Sequence, residues 1–415
     1  MNFAETSNQL ERPNLSIMEG FLVFWLICIS GNPFFGEYGG KYIYAATVLG
    51  VFVVSIYYGK MLYNTRLVFW LLGSIVLFML QATVLSEVSI LANVNFVARL
   101  YLGFLITMLL GYKFRYAYMK VMFFVSVVSL VLWVVNTFVE LPGIVANRHL
   151  SLVIFNYIPR SELYWIFRRN CGMFWEPGAF QGFIMLVPLM YIGQIREFLR
   201  QYRKESIVLF LVLLSTMSTT GYVVFAVLSM LIILKDIRNV FLKFFVAFST
   251  VAVFMWAYNT FDFLGEKIEN EYESAVEQES GKASWSRMGA LRIDMESIKK
   301  HPILGNGFSM REKYGQLGDK MGGAGNGFSG VLNMLGIPFI FFFFLQLYKN
   351  APATSRYEKM LFPIVIVLLL NGEYFMNFPL FWSLMFVQYP DILYNEVYNE
   401  ESIVLDNNTE QLLNQ

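Results

Sequence analysis

Ten apolar stretches, most of them close to 20 residues long, decide what this chain can fold into. A helix rises 1.5 Å per residue, so about 20 apolar residues cross roughly 30 Å of hydrocarbon. Stretches of that kind lie near 17–35, 41–58, 66–85, 94–112, 117–139, 173–194, 241–259 and 326–348. Two more, 207–234 and 360–390, are too long for one upright helix and short for two. Composition agrees, because hydrophobic residues are 57% of the 415 and charged residues only 15%. A soluble domain carries about 25% charged residues. The expected fold is therefore all-α, a polytopic transmembrane helix bundle of about twelve spans with a large extracytoplasmic loop carrying amphipathic helices.

Basic residues give the orientation. Arg196, Arg200, Arg203 and Lys204 precede the run 207–234, and Lys235, Arg238 and Lys243 follow it. Cytoplasmic loops collect Lys and Arg. Both flanks are then inside, and the run is expected to cross twice, turning at Ser215–Gly221. The run 360–390 has Asn371, Gly372 and Glu373 near its middle, but no Lys or Arg follows Lys359, so charge leaves one or two crossings open. Lys113, Arg115, Lys120, Lys349 and Arg356 fall inside on the same count. This divides the chain into a cytoplasmic segment 1–16, a membrane domain 17–390 with outer loops 140–172 and 260–325, and a cytoplasmic tail 391–415. The first sixteen residues are polar and lack the basic start and cleavage site of a secretory signal. A net charge of +1 gives no reason to expect nucleic acid. Two cysteines, Cys28 and Cys171, make no disulfide framework.

The candidate chemistry is gathered on the outer loops. Arg168 and Arg169 stand shortly before Glu176-Pro177-Gly178, where Pro in a first turn announces a helix start. Helix N-termini attract anions, and the arginines add formal charge, so a phosphate or pyrophosphate fits there. The plainer reading has the arginines reaching lipid phosphates and Glu176 capping a helix. From 284 to 300, Trp285, Met288, Leu291, Met295 and Ile298 recur at helical spacing, giving an amphipathic helix suited to the membrane surface, with Arg287 and Arg292 among them. His301-Pro302 ends it, and Gly305 and Gly307 turn the chain. His301 is either a base or a helix-end residue. The acidic stretch 266–282 reads as solvated surface; no Asp-x-Asp pair occurs, so no metal and no other cofactor is expected. Glu19, Arg99 and Glu373 are the ionisable residues within spans, and each is expected near an interface or a polar cavity.

Four stretches, in order, resemble the O-antigen polymerase and ligase superfamily of membrane glycosyltransferases. Arg169-x-x-Gly172-x-x-x-Glu176-Pro177 resembles the family's Arg–Gly–Glu-Pro start of a span. Ser215–Gly221 resembles its Ser/Thr-Gly hairpin tip. Arg287 with His301-Pro302-Ile303-Leu304-Gly305-Asn306-Gly307 resembles its arginine helix ending in Pro-Leu-x-Gly-x-Gly. Asn326-Gly327-Phe328 with Gly336-Ile337 resembles its Asn-led returning helix. The likeness covers about residues 165–345; the first five spans match only in being hydrophobic.

The resemblance implies a metal-independent transferase on the outer face of the bacterial cytoplasmic membrane. Its substrate is an oligosaccharide on undecaprenyl pyrophosphate, and it polymerises repeat units into O-antigen or capsule. Arg169 and Arg287 are the first candidates to hold the pyrophosphate, with Arg168 and Arg160 behind them. Glu176 or His301 is the candidate base, and Arg292 and Asn326 are further substrate contacts. The implied partners are the lipid-linked oligosaccharide and the bilayer, with room for a chain-length regulator protein. Ligases of this family carry a His near the Asn of the returning helix; here Gly322, Gly323, Ala324 and Gly325 stand there, which disfavours a ligase. A flippase or transporter for the same lipid-linked sugar is the rival from another class. It needs charge inside the spans and has no use for a loop as large as 260–325, and no internal repeat points to it.

Overall fold

The structure is a computed structural model that describes residues 10, 12–38, 42–139, 144–145, 155, 157–158, 168–237, 239–246, 248–249, 287–314, 326–353 and 355–389. Arg160, the acidic stretch 266–282 and the glycine run 322–325 lie outside them, as do most of 1–16 and all of 391–415.

The described chain is overwhelmingly helical. In order come α1 (Ile17–Gly31), α2 (Pro33–Tyr38), α3 (Ile43–Tyr57), α4 (Thr65–Val84), α5 (Ile90–Leu110) and α6 (Phe114–Phe138). Two short parallel strands follow, β1 (Ile144–Val145) and β2 (Tyr157–Ile158). Then come α7 (Pro177–Leu189), α8 (Ile195–Gln201), α9 (Arg203–Ser215), α10 (Thr219–Asp236), α11 (Arg287–Ile298) and α12 (Met310–Tyr314). The last three are α13 (Gly327–Lys349), α14 (Arg356–Gly372) and α15 (Pro379–Ser383).

Polar side chains set many of these boundaries. A helix leaves its first N–H groups without intrahelical partners, and a Ser or Asn oxygen satisfies them. Ser16 and Glu19 form a capping box at α1. Asn64 accepts from Leu67 N at 2.8 Å, Asn326 from Ser329 N at 3.0 Å, and Ser355 from Glu358 N at 3.3 Å. Ser89 and Ser218 cap α5 and α10 in the same way.

Among the described residues three helical stretches are long and apolar enough to cross a membrane: Thr65–Val84, Ile90–Phe138 and Gly327–Lys349. A fourth arises if Pro177–Leu189 and Ile192–Gln201, bent by 56°, are one span. Ile90–Phe138 is 49 residues long, more than twice what a bilayer needs. It is broken at Gly111, whose positive φ of 57° leads into one 3-10 turn before α6. The run 207–234 is broken at its expected tip, with α9 ending at Ser215 and α10 starting at Thr219. The run 360–390 breaks after Gly372, and its second limb is the five-residue α15, every residue of which is buried.

The surface of these helices is apolar and part of the interior is polar. On α4, Phe69, Leu72, Val76 and Met79 are exposed, while Ser74 and Gln81 are buried. Lipid is as apolar as leucine, so such helices gain by turning polar side chains inward and packing on small residues. The interior is rich in rings, and Trp382 of α15 meets Phe96 of α5 at 4.9 Å and Phe343 of α13 at 5.1 Å between centroids.

Two of the three ionisable residues expected near interfaces have local partners. Glu19 pairs with Lys113 at 2.9 Å. The Arg99 guanidinium lies 4.8 Å from the Tyr44 ring centroid. Glu373 belongs to the site below.

Candidate functional site

The four sequence stretches meet in pairs, and the break after α14 joins the pairs. The first contact is made by Asn170. Its backbone N–H donates to Ser215 O at 2.9 Å, and its side chain donates to Ser215 Oγ at 2.9 Å. Its Oδ1 accepts from Ser129 Oγ of α6 at 2.7 Å and from Gly172 N at 2.9 Å. The arginine stretch is thereby fixed to the tip between α9 and α10 and to α6. Trp133 of α6 adds a bond from Nε1 to Arg168 O at 2.7 Å. Arg168 and Arg169 are half-buried, just ahead of this anchor.

The second pair is held by a kink. Gly336 has φ 78° and ψ 165° inside α13, a conformation that a side chain resists. Pro338 follows and brings no N–H to the ladder. The helix carbonyls near the kink must find other donors. Asn306 N donates to Asn333 O at 2.7 Å, and Gly307 N to Met334 O at 3.2 Å. Gln81 Nε2 of α4 reaches Met334 O at 2.8 Å and Leu304 O at 2.6 Å. Ile337 N turns outward to Pro302 O at 2.9 Å. The glycine pattern of 302–307 thus serves to splice a loop into a broken helix. Gly305, with φ 73°, lies directly against the Met334 carbonyl, and Gly336 against that of Ile303.

A buried polar network secures α11 to α13. Asp294, fully buried, accepts from Tyr314 OH at 2.7 Å, Ser329 Oγ at 2.6 Å and Asn333 Nδ2 at 2.9 Å. Ser297 Oγ donates to Lys313 O at 2.6 Å, and Asn306 Nδ2 to Asn333 Oδ1 at 2.8 Å. Burial, with Asp294 next, pushes the Tyr314 phenol far above its ordinary value, so it remains a donor. Burial pulls Lys313 down to about 8, against the opposing attraction of Asp294. The buried face of α11 is therefore Ala290, Asp294, Ser297 and Ile298. On the stripe expected to suit the membrane surface, Met295 is 48% exposed, Leu291 half-buried and Ile298 buried, while the side turned to the protein carries a carboxylate. Arg292 is exposed.

The junction of the pairs is the break at 371–378. Asn326, buried at the start of α13, donates to Asn371 Oδ1 at 3.3 Å. Gly327 lies against the Glu373 carbonyl, and Gly372 against Thr220 of α10. Glu373 is buried, and Trp175 Nε1 donates to its Oε2 at 3.2 Å. Glu176 is the N-cap residue of α7 and is half-buried. A Cβ on Gly178 would stand 2.5 Å from Glu373 Oε1 and 3.3 Å from Glu176 Oε1. Two carboxylates therefore share the first turn of α7, in a space that any side chain at 178 would fill. One turn deeper, Gln181 is fully buried, and its amide meets no hydrogen-bond partner among the described residues. Leaving an amide in that state costs about 1–3 kcal/mol on protein scales.

Of the expected site residues, Glu176 and Asn326 are thus brought to one place, with Arg168 and Arg169 on the segment leading into it. His301 is not. Its carbonyl accepts from Gly305 N at 2.8 Å, and its neighbour Pro302 is bonded to Ile337, eleven residues along α13 from Asn326. That is roughly 15 Å of helix. Sequence reasoning missed Glu373 as a site residue and missed Gln181, Asp294 and Asn333 altogether. The usable signal was a polar side chain inside an apolar stretch, which membrane helices keep only where it faces protein or a polar site. Searches against protein-family models and against curated proteins find no match to this chain.

Proposed function

We propose that this protein is a membrane glycosyltransferase of the O-antigen polymerase type. It joins lipid-linked oligosaccharide repeat units into a surface polysaccharide on the outer face of a bacterial cytoplasmic membrane. In this reading the chain crosses the membrane about twelve times, with 140–172 and 260–325 outside. The carrying observation is that the stretches 169–177 and 215–221 and the start of 326–337, far apart in sequence, are neighbours around one pair of carboxylates, while 302–307 is spliced to the same returning helix at its kink.

The reaction breaks the sugar C1–O bond to a diphosphate and forms a C1–O bond to a hydroxyl of the acceptor sugar. Negative charge grows on the departing diphosphate, and preorganised cations lower that barrier. Arg169 and Arg287 take this role, assisted by Arg168 and Arg160. The hydroxyl proton passes to Glu176, which sits where the acceptor would be held, and later leaves to solvent. Glu176 is preferred to His301 because His301 is tied to the far side of the α13 kink. No metal is invoked.

Deletion of the gene in its own host, followed by gel analysis of the surface glycan, tests the reading. Single repeat units still attached to their normal anchor are the expected result. Complete loss of attachment points to a ligase, and loss of exported units to a flippase; either overturns the proposal.

A further inference from the structure

The first turns of α7 combine features that do not suit an anion. A helix N-terminus draws negative charge, but here Glu176 and Glu373 already occupy it, on either side of Gly178. A diphosphate brought to that point would meet two carboxylates. Below them lies Gln181, wholly buried, with neither amide atom hydrogen-bonded among the described residues. Side chains on a helix lean toward its N-terminus, so Gln181 leans toward the turn that carries Gly178. Its other flank is α10, where a Cβ on Gly221 would stand 3.1 Å from Gln181 Oε1. Nearby polar groups are engaged, as with Asn170 on Ser215 and Asn326 on Asn371. A buried amide that the described residues leave unanswered has room for a group from outside the chain.

The ligand chemistry follows from the set. Carboxylates accept hydrogen bonds, and an amide both donates and accepts. Trp175, half-buried beside them with its N–H on Glu373, adds an aromatic face. Acceptors, an amide and a ring together suit a polyhydroxyl sugar. We propose that Gln181, with Glu176, Glu373 and Trp175, forms the subsite for the hydroxyl-bearing acceptor sugar, separate from the arginines that take the diphosphate. This rests on the glycosyltransferase reading above and names which substrate sits where. The hydroxyl that meets Gln181 belongs to the sugar or to a water fixed by the protein, and the experiment separates the two.

The test compares full-length wild type, Gln181→Leu and Gln181→Met in nanodiscs. Two probes are used: the lipid-linked repeat unit from the host, and the free oligosaccharide released from it by mild acid. Thermal midpoints are measured with and without each probe. The expected result is that both variants without ligand melt no lower than wild type, because an unanswered amide has been removed. Free oligosaccharide raises the midpoint of wild type, and its affinity for both variants falls at least tenfold. Arg169→Ala keeps its response to free oligosaccharide and loses affinity for the lipid-linked form. If both variants melt lower, the amide holds a structural water or belongs to the fold, and the subsite assignment fails. It fails also if the variants bind free oligosaccharide as wild type does, with the glycosyltransferase reading left standing. Absence of any response of wild type to either probe removes that reading, and the subsite with it.

Discussion

The Asp294 network and the Gln181 neighbourhood are both buried, polar and lodged between apolar helices, yet they are built on opposite plans. Around Asp294 three donors meet one carboxylate, and the surrounding amides and hydroxyls answer one another except at Asn306 Oδ1, which has no partner among the described residues. Around Gln181 two carboxylates crowd a helix start, and the amide below them has no partner among the described residues. A network answered at nearly every atom fixes geometry. A buried amide with neither atom answered among the described residues has capacity for a ligand. The first region is read as the clamp that holds α11, and position 287 with it, against α13; the second as the place where substrate is met.

The largest expected effect falls on the clamp. Asp294→Ala strands Tyr314, Ser329 and Asn333 and leaves Lys313 buried without its countercharge, a loss of about 3–5 kcal/mol. Thermal unfolding in nanodiscs measures it, and a change under 1 kcal/mol would break the contrast between the two regions.

Lys313 gives a pH signature of similar origin. Its folded value of about 8 lies below the ordinary 10.5. Below pH 8 both states hold the proton and stability has no slope from this group. Between about 8 and 10.5 the unfolded chain keeps the proton that the folded chain has lost, so stability rises with pH. The full gain is on the order of 3 kcal/mol. Lys313→Met should flatten that rise relative to wild type; parallel curves would place Lys313 in water.

The smallest stability effect belongs to the substrate region. Gly178→Ala pushes a methyl between Glu176 and Glu373 at the first turn of a helix, where alanine is itself favourable. Stability should change by less than about 1 kcal/mol, while polymer formation falls by tenfold or more. Equal loss of stability and activity would mean that the carboxylate pair only supports the fold.

Much of this fold was legible as apolar length. Among the described residues long helices lie on most of the apolar stretches, 241–259 falling largely outside them; the break at Thr216–Ser218 falls at the tip expected for 207–234, and the one after Gly372 at the polar interruption of 360–390. The four resembling stretches were legible too, but not their pairing, since Asn170–Ser215 and Asn306–Asn333 are tertiary contacts between ordinary polar residues. The packed face of α11 was not legible for a physical reason. Periodicity finds an apolar stripe suited to a membrane surface but says nothing of the polar side, and here the partner helix offers Ser329 and Asn333, so the side bearing Asp294 turns inward. Glu373 was visible as a charge within a span, but its role needed the neighbour that only folding brings, Glu176 across Gly178.

Reconstitution asks the main question without a host. Purified protein in liposomes, supplied only with lipid-linked repeat units, should yield a ladder of longer lipid-linked chains. Glu176→Gln and Arg169→Ala should each leave single units while still inserting normally. Single units from wild type, or an undiminished ladder from both variants, would contradict a sugar-joining site built from these residues.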